Sequence, residues 1–512
     1  MKFAIITLFL LGCGPCLSQE VDESFPRVVT PLGPIEGYYK NSSNGRLYKA
    51  YEGVPYAQPP IGDVISQVPK RILPWTDVLM AKQFASTCLQ YEPYPGQVPP
   101  GFVSGSEDCL YMNIYTAITD DSVTSHPEGN GVSSNLLPVI VFIHGGAFLF
   151  GSGNLYGPKY LLNEDVTLVT INYRLGPLGF LSTEDDIVPG NMGLKDQAMA
   201  LRWIKDNIKF FGGDPSRIMI VGQSAGGVSV HYHMLSKLSS GAMSLSGTAI
   251  DCWAQTEGSL EKAKKLAAFL KCPSSDIKLM VDCLRTVPAD EITRPFLYNP
   301  FTPFGPVVEK GNGKFPFIDQ PPIEIMTSGK IPQDLPWITS TVSHEGFYTT
   351  AELVTDKSRL DEANENWETI APYLLDFNYT VPKKDQSAVA KLIRQNYLGS
   401  SPIDVSTANT IVQMVGDRFF AYDGERAASL QARVNRSPVR FYYFSYRGAH
   451  SLSENFTTEN FGRFLMTSIF ITWRIIIAYI VQESVMVMIW HTYWIRSLTR
   501  RQRRKTGKCN KF

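Results

Sequence analysis

Net charge is absent from this chain: 48 Lys and Arg stand against 48 Asp and Glu over 512 residues. The basic excess that nucleic acid selects is missing, so no nucleic-acid partner is expected. Internal repeats and heptad runs are missing too, which excludes solenoids and long coiled coils. Histidine is scarce, at seven residues, so each one can be weighed singly. What is plentiful is apolar and aromatic residues, at 44% and 12%. In a chain of this length they suffice for one large core.

The neutral total conceals an asymmetry. From Arg463 onward ten basic residues face one acidic residue, Glu483, so the part before it is acidic. At the other end, Lys2 precedes the apolar run Phe3 to Leu11 and the small residues around Cys16-Leu17-Ser18. That pattern predicts a secretory signal over 1–18, too short to span a bilayer, and a secreted product. Secretion permits disulfides. With Cys13 and Cys16 removed, Cys88, Cys109, Cys252, Cys272, Cys283 and Cys509 remain. Cys88 and Cys109 are near in sequence, as are Cys272 and Cys283, but sequence alone leaves connectivity open. Asn41, Asn378 and Asn455 head glycosylation sequons, whereas Pro438 weakens the one at Asn435.

Strand-type and helical stretches alternate. Leu137 to His144, Val166 to Tyr173, Arg217 to Gly222, Pro336 to Thr339 and Val439 to Tyr446 read as strands. Asp196 to Phe211 and Val228 to Leu235 have helical spacing. This predicts an α/β fold with a mostly parallel sheet and helices on both faces.

Two motifs sit on that frame. Gly222-Gln223-Ser224-Ala225-Gly226 follows a strand and opens a helix. Such a pentapeptide arises by chance in roughly one chain in five of this length. The strand–turn–helix context is what a nucleophile elbow needs, and it places the Ala225 amide at a helix N-terminus. His144-Gly145-Gly146-Ala147-Phe148 also follows a strand. Glycines there let backbone N–H groups face a ligand, and Gly146 and Ala147 are the candidate oxyanion donors. In this chain order an acid comes next, and Glu345 in Ser343-His344-Glu345-Gly346 follows a strand.

With these motifs the chain resembles the type-B carboxylesterase/cholinesterase family, notably arthropod carboxylesterases, juvenile hormone esterases among them. Matching stretches run from Gly53 to Gly462. They include Tyr51-Glu52-Gly53-Val54-Pro55-Tyr56-Ala57, Ser106-Glu107-Asp108-Cys109-Leu110-Tyr111, Asn172-Tyr173-Arg174, Gly193-Leu194-Lys195-Asp196-Gln197, Phe211-Gly212-Gly213-Asp214-Pro215 and Tyr446-Arg447-Gly448-Ala449-His450. The resemblance implies an α/β-hydrolase domain over 19–462 and acyl transfer from a small apolar ester without cofactor or metal. It places the nucleophile on Ser224, the acid on Glu345 and the oxyanion donors on Gly146, Ala147 and Ala225. It also implies the pairings Cys88–Cys109 and Cys272–Cys283.

The pattern then breaks. The family's catalytic histidine follows a glycine in a Gly-x-x-His arrangement, but here Gly462 is followed by Arg463-Phe464-Leu465. Losing the base of a triad costs about 10⁶ in kcat, or roughly 8 kcal/mol of barrier. The family carries a histidine at the position of His450 in addition to its catalytic one, so His450 is not expected to substitute. His231 and His233 are expected to be structural, His144 to brace the oxyanion loop and His344 to point away; His126 falls in a loop and His491 in the tail. The family's C-terminal helices do not follow, so the C-terminal part is incomplete. Two lesser departures are a shortening by about four residues between Gly241 and Ala242, and Ile65 where the family has an arginine partner for Glu107.

The tail 463–512 is apolar from Phe464 to Trp490 and basic beyond. As a stop-transfer helix it would make a single-pass membrane protein with the hydrolase domain outside. The matching alternative function is a non-catalytic binding or adhesion protein. A mid-span Arg474 costs about 2.5–3.5 kcal/mol on insertion scales. An alternative C-terminus without membrane function is the preferred reading.

Overall fold

Leu137–Ile143 is buried along its whole length, as Thr167–Ile171 is. Unbroken burial of a strand requires cover on both faces, which parallel α/β sheets provide. A computed structural model of the chain shows that arrangement and describes residues 25–62, 67–91, 102–119, 135–235, 241–294, 304–310 and 316–445. In chain order, the large sheet consists of β1 (Tyr38–Asn41), β2 (Leu47–Pro55), β3 (Tyr111–Ala117), β4 (Leu137–Ile143), β5 (Thr167–Ile171), β6 (Gly213–Gln223), β7 (Gly241–Leu245), β8 (Trp337–Val342) and β9 (Val439–Phe444). Their spatial order is β9-β8-β7-β6-β4-β5-β3-β2-β1. From β9 to β5 every pairing is parallel; β3, β2 and β1 add antiparallel strands at the other edge.

Side-chain alternation divides the core in two. Val139, Val141, Ile143, Ile218 and Ile220 join one apolar cluster; Ile140, Phe142, Met219 and Val221 join the other. The first cluster takes in residues of α1 (Met192–Asn207), α2 (Ala225–Met234), α3 (Phe347–Thr355), α4 (Ala408–Gly416) and α5 (Tyr422–Val434). Among the described residues, the second takes in Leu161 and Leu162 of a 3₁₀ turn.

Helix α1 starts at Met192, four residues before the periodicity predicted, because Asn191 turns the chain into the left-handed region just ahead of it. It ends in the 3₁₀ turn Ile208–Phe211, closed by Gly212 at φ 91°. β7 is paired from Met219 onward on one side and from Trp337 onward on the other; the residues just before it, 236–240, lie outside the described residues. Strand order reverses about β4, which lies between β5 and β6. Open α/β sheets bind ligands at the carboxyl ends of strands beside such a switch point. The carboxyl ends of β4 and β6 carry His144-Gly145-Gly146 and Ser224.

Candidate active site

Ser224 sits between β6 and α2 with φ 56° and ψ −123°, a conformation that a side-chain-bearing residue adopts only at a cost of about 1–3 kcal/mol. The surrounding glycines enforce it. A Cβ on Gly222 would lie 2.2 Å from the Gly226 carbonyl oxygen, and one on Gly226 would lie 2.0 Å from that of Ile143. The Ser224 amide donates to the Leu245 carbonyl at 2.7 Å, and its carbonyl accepts the Val228 amide at 2.9 Å. The kink is thus tied to β7 and α2 together.

The second loop lies directly against the first. A Cβ on Gly145 would meet the Ser224 Cβ at 3.0 Å and the Gln223 carbonyl oxygen at 2.5 Å. Gly146, Ala147 and Phe148 run consecutively at φ 109°, 54° and 60°, so three peptide planes turn the unusual way. The Gly146 carbonyl accepts the amides of Leu149 and Phe150 at 2.9 and 3.1 Å. Gln90 clamps the far end of the loop: its Oε1 accepts the Gly151 amide at 2.7 Å, and its Nε2 donates to the Gly151 carbonyl at 3.1 Å. Gln90 stands two residues from Cys88, which is bonded to Cys109 with an S–S distance of 2.03 Å. Cys272 and Cys283 form the other bond, and Cys252 is a free thiol.

Glu345 follows β8. Its Oε1 accepts the Val342 amide at 2.7 Å, and Ser246 donates a hydroxyl hydrogen bond to the same carboxylate. Burial nonetheless dominates and pushes the Glu345 carboxyl up to about 7 against these two bonds. No sequence motif marked Ser246. It lies at the end of β7, buried, with φ 52°. Its amide donates to the Ser340 carbonyl at 2.9 Å. Gly247 next to it presses on Ser224, where a Cβ would meet the carbonyl oxygen at 2.3 Å.

The described histidines are committed elsewhere. His144 Nδ1–H donates to the Gly145 carbonyl at 2.8 Å, and its ring stacks on Tyr173 at 4.4 Å. His231 Nδ1 accepts the Ala249 amide at 3.1 Å, and the ring stacks on Trp337. His233 Nε2 pairs with Gln197 Oε1 at 2.9 Å. Burial lowers these three imidazoles to about 4, 4 and 3, so they are neutral at physiological pH. His344 Nδ1 meets the Ser343 hydroxyl at 2.8 Å. His126, His450, His491, Leu465, Ile65, Cys509 and Asn455 lie outside the described residues. Glu107 accepts the Gly62 amide at 3.3 Å.

Asn41 is exposed at the end of β1, and Asn378 is half-buried in a turn. Asn435 is spent internally: its Nδ2 donates to the Leu335 carbonyl at 2.8 Å, and its Oδ1 accepts from Gln431 at 2.7 Å.

This fold, with a strained serine after one inner strand of the sheet and a glycine loop after the neighbouring strand lying against it, defines the class: an α/β-hydrolase. The chain belongs to the carboxylesterase family, whose model matches residues 24–494. Venom carboxylesterase-6 of Apis mellifera is 47% identical over 501 residues, covering 95% of this chain and 87% of that protein. Juvenile hormone esterase of Tribolium castaneum is 37% identical, covering 90% and 80%. The crystal structure of juvenile hormone esterase from Manduca sexta, with OTFP covalently attached, superposes with a TM-score of 0.73 at 28% identity, covering 86% of this chain and 81% of that one. By class, then, the protein is a carboxylic ester hydrolase.

Proposed function

We propose that the chain takes up small apolar esters at Ser224 by acyl transfer, with no cofactor. Ser224 Oγ bonds to the ester carbonyl carbon, and the oxygen that gains charge is held by the amides of Gly146, Ala147 and Ala225. Collapse of that intermediate breaks the bond to the alcohol oxygen. The hydroxyl proton ends on the departing alcohol, with water as its carrier in place of the family's histidine, and a further water then releases the acid. Glu345 is the carboxylate that would orient an imidazole base. The observation that carries this reading is the contact between the two strained loops: Gly145 stands against the Ser224 Cβ, with three unusual peptide planes beginning beside it.

The base is the weak link. The four described histidines have other partners, and Leu465 occupies the family's histidine position. Acylation by activated donors is therefore expected to outrun turnover of ordinary esters. Purified protein should take up one fluorophosphonate label per chain at Ser224, while hydrolysing a short-chain aryl ester slower than a complete triad by up to about 10⁶. No label on the parent, or equal labelling of parent and Ser224→Ala, refutes the reading. Secretion is the location that the N-terminal segment and the disulfides support. Tethering through the tail is the second reading, motivated by Phe464 to Trp490 and the basic run beyond. Among the described residues no helix is long and apolar enough to cross a membrane. Recovery of the whole product in the medium would remove the tether.

A further inference from the structure

Between α4 and α5 the chain makes a π turn, Asp417–Ala421, in which the Tyr422 amide reaches back to the Asp417 carbonyl. Such widened turns free backbone carbonyls and recur at functional sites. Here the freed groups are taken by side chains from the segment after β7. The Cys252 thiol donates to the Arg418 carbonyl at 3.6 Å, and Trp253 Nε1–H donates to the Phe419 carbonyl at 2.8 Å. The Trp253 ring is buried and packs edge-on against Phe420. Asp251 locks that segment by accepting the Thr248 amide at 3.0 Å and the Thr248 hydroxyl at 2.6 Å.

Both ends of this contact reach Glu345. The segment 248–254 continues directly from Ser246, whose hydroxyl meets the carboxylate. The π turn continues directly from Gly416, where a Cβ would stand 3.4 Å from the Glu345 Cβ; one on Gly346 would lie 2.0 Å from the Val412 carbonyl oxygen. The contacts close a ring: Glu345 to Ser246, along the chain to Trp253, across to Phe419, back to Gly416 and to Glu345.

We infer that Trp253 is a positioning residue for Glu345, acting through its N–H bond to the π turn. The inference rests on Glu345 being the acid of the site. Without the indole N–H, the Phe419 carbonyl loses its acceptor role and the turn can tighten to α geometry. That would rotate Gly416 and Val412 beneath Glu345. The titratable groups that face this carboxylate are Asp251 on the turn after β7 and Tyr443 on β9, beyond which Asp423 of α5 interacts with Asp251 and Arg418 of the π turn with Cys252. The first two interact with it directly, while Asp423 acts through Asp251.

The test is the rate of fluorophosphonate labelling of Ser224 in the full-length protein, measured from about pH 5 to about pH 9. Parent, Trp253→Phe and Glu345→Gln are compared, with crystal structures of the first two. Glu345→Gln is expected to flatten the pH dependence. Trp253→Phe, which keeps an aromatic ring, is expected to move its midpoint, to slow labelling about tenfold, and to return residues 417–421 to α hydrogen bonding. An unmoved midpoint with the π turn intact overturns the proposal. If Glu345→Gln leaves the pH profile unchanged, Glu345 is not the acid. The geometry of 417–421 in Trp253→Phe still decides whether the indole holds the turn. Should Trp253→Phe fail to fold, deletion of Asp417, which removes the extra residue of the π turn, must shift the same midpoint; no shift overturns the proposal equally.

Discussion

Two serines stand at the ends of neighbouring strands, both at positive φ. Ser224 closes β6 at φ 56° and Ser246 closes β7 at φ 52°. Each kink is supported by a glycine with no room for a methyl group: Gly226 against Ile143, and Gly247 against Ser224. They differ in the element that each one opens. Ser224 opens a helix, so its side chain stands at a helix N-terminus beside the glycine loop. Ser246 opens a turn, so its hydroxyl meets the Glu345 carboxylate. A positive-φ serine, repeated one strand over, presents a nucleophile in one case and anchors an acid in the other.

The pairing of the two kinks breaks most readily at its glycines. Gly226→Ala and Gly247→Ala should each destabilise the fold by about 3 kcal/mol or more, since backbone oxygens would have to move. Recovery of soluble secreted protein and its urea midpoint measure this; near-parental values would mean that the kinks can relax around a methyl group. Next in size is the division of labour. Ser224→Ala should abolish fluorophosphonate labelling, while Ser246→Ala should keep a label on Ser224 and slow its uptake by about tenfold. Total loss in both variants would erase the distinction.

Glu345 supplies a smaller effect, with a definite sign. Its folded-state carboxyl is raised to about 7 from an ordinary value of 4.5. The associated stability is full below the unfolded value and lost as pH rises through about 7. Glu345→Gln should therefore be more stable than the parent at pH 8 by a margin on the order of 1–3 kcal/mol, shrinking as the pH falls from about 7 towards 4.5 and constant below that. A margin independent of pH contradicts the burial argument. The smallest effect is at Ser246 itself. Ser246→Gly relieves the left-handed backbone but loses the hydroxyl, whereas Ser246→Ala loses the hydroxyl and keeps the strain. The glycine variant should be the more stable of the two by about 0.5–1 kcal/mol, readable as a difference in Tm.

The two kinks also differ in how far each was legible in the sequence. The parallel strands β4, β5, β6, β8 and β9 were readable in the sequence, whereas β7, Gly241-Ala242-Met243-Ser244-Leu245, carries no apolar run and was not; the elbow declared itself through glycines at fixed spacing around a serine. β2 and β3 carry polar residues such as Glu52, Asn113 and Thr116 that are buried and satisfied across strands, so no run marked them. Ser246 was invisible because its partner lies 99 residues away by the numbering and its turn has no fixed composition. The π turn was invisible for a related reason: its carbonyls are satisfied by Cys252 and Trp253, which only the folded chain brings near. The early start of α1 depends on Asn191 in the left-handed region, where sequence periodicity gives no warning.

The glycines of the elbow have a consequence for how such signatures are inherited. Gly222 and Gly226 are required because backbone oxygens stand about where their side chains would begin, whether or not any ester is ever cleaved. A lineage that abandoned catalysis would still be obliged to keep them. The serine between them is under the opposite pressure. Its conformation suits glycine better, and drift would relieve the strain at once. In comparing descendants of this sequence, the pentapeptide frame therefore records ancestry alone. Persistence of the hydroxyl at position 224 records continuing use.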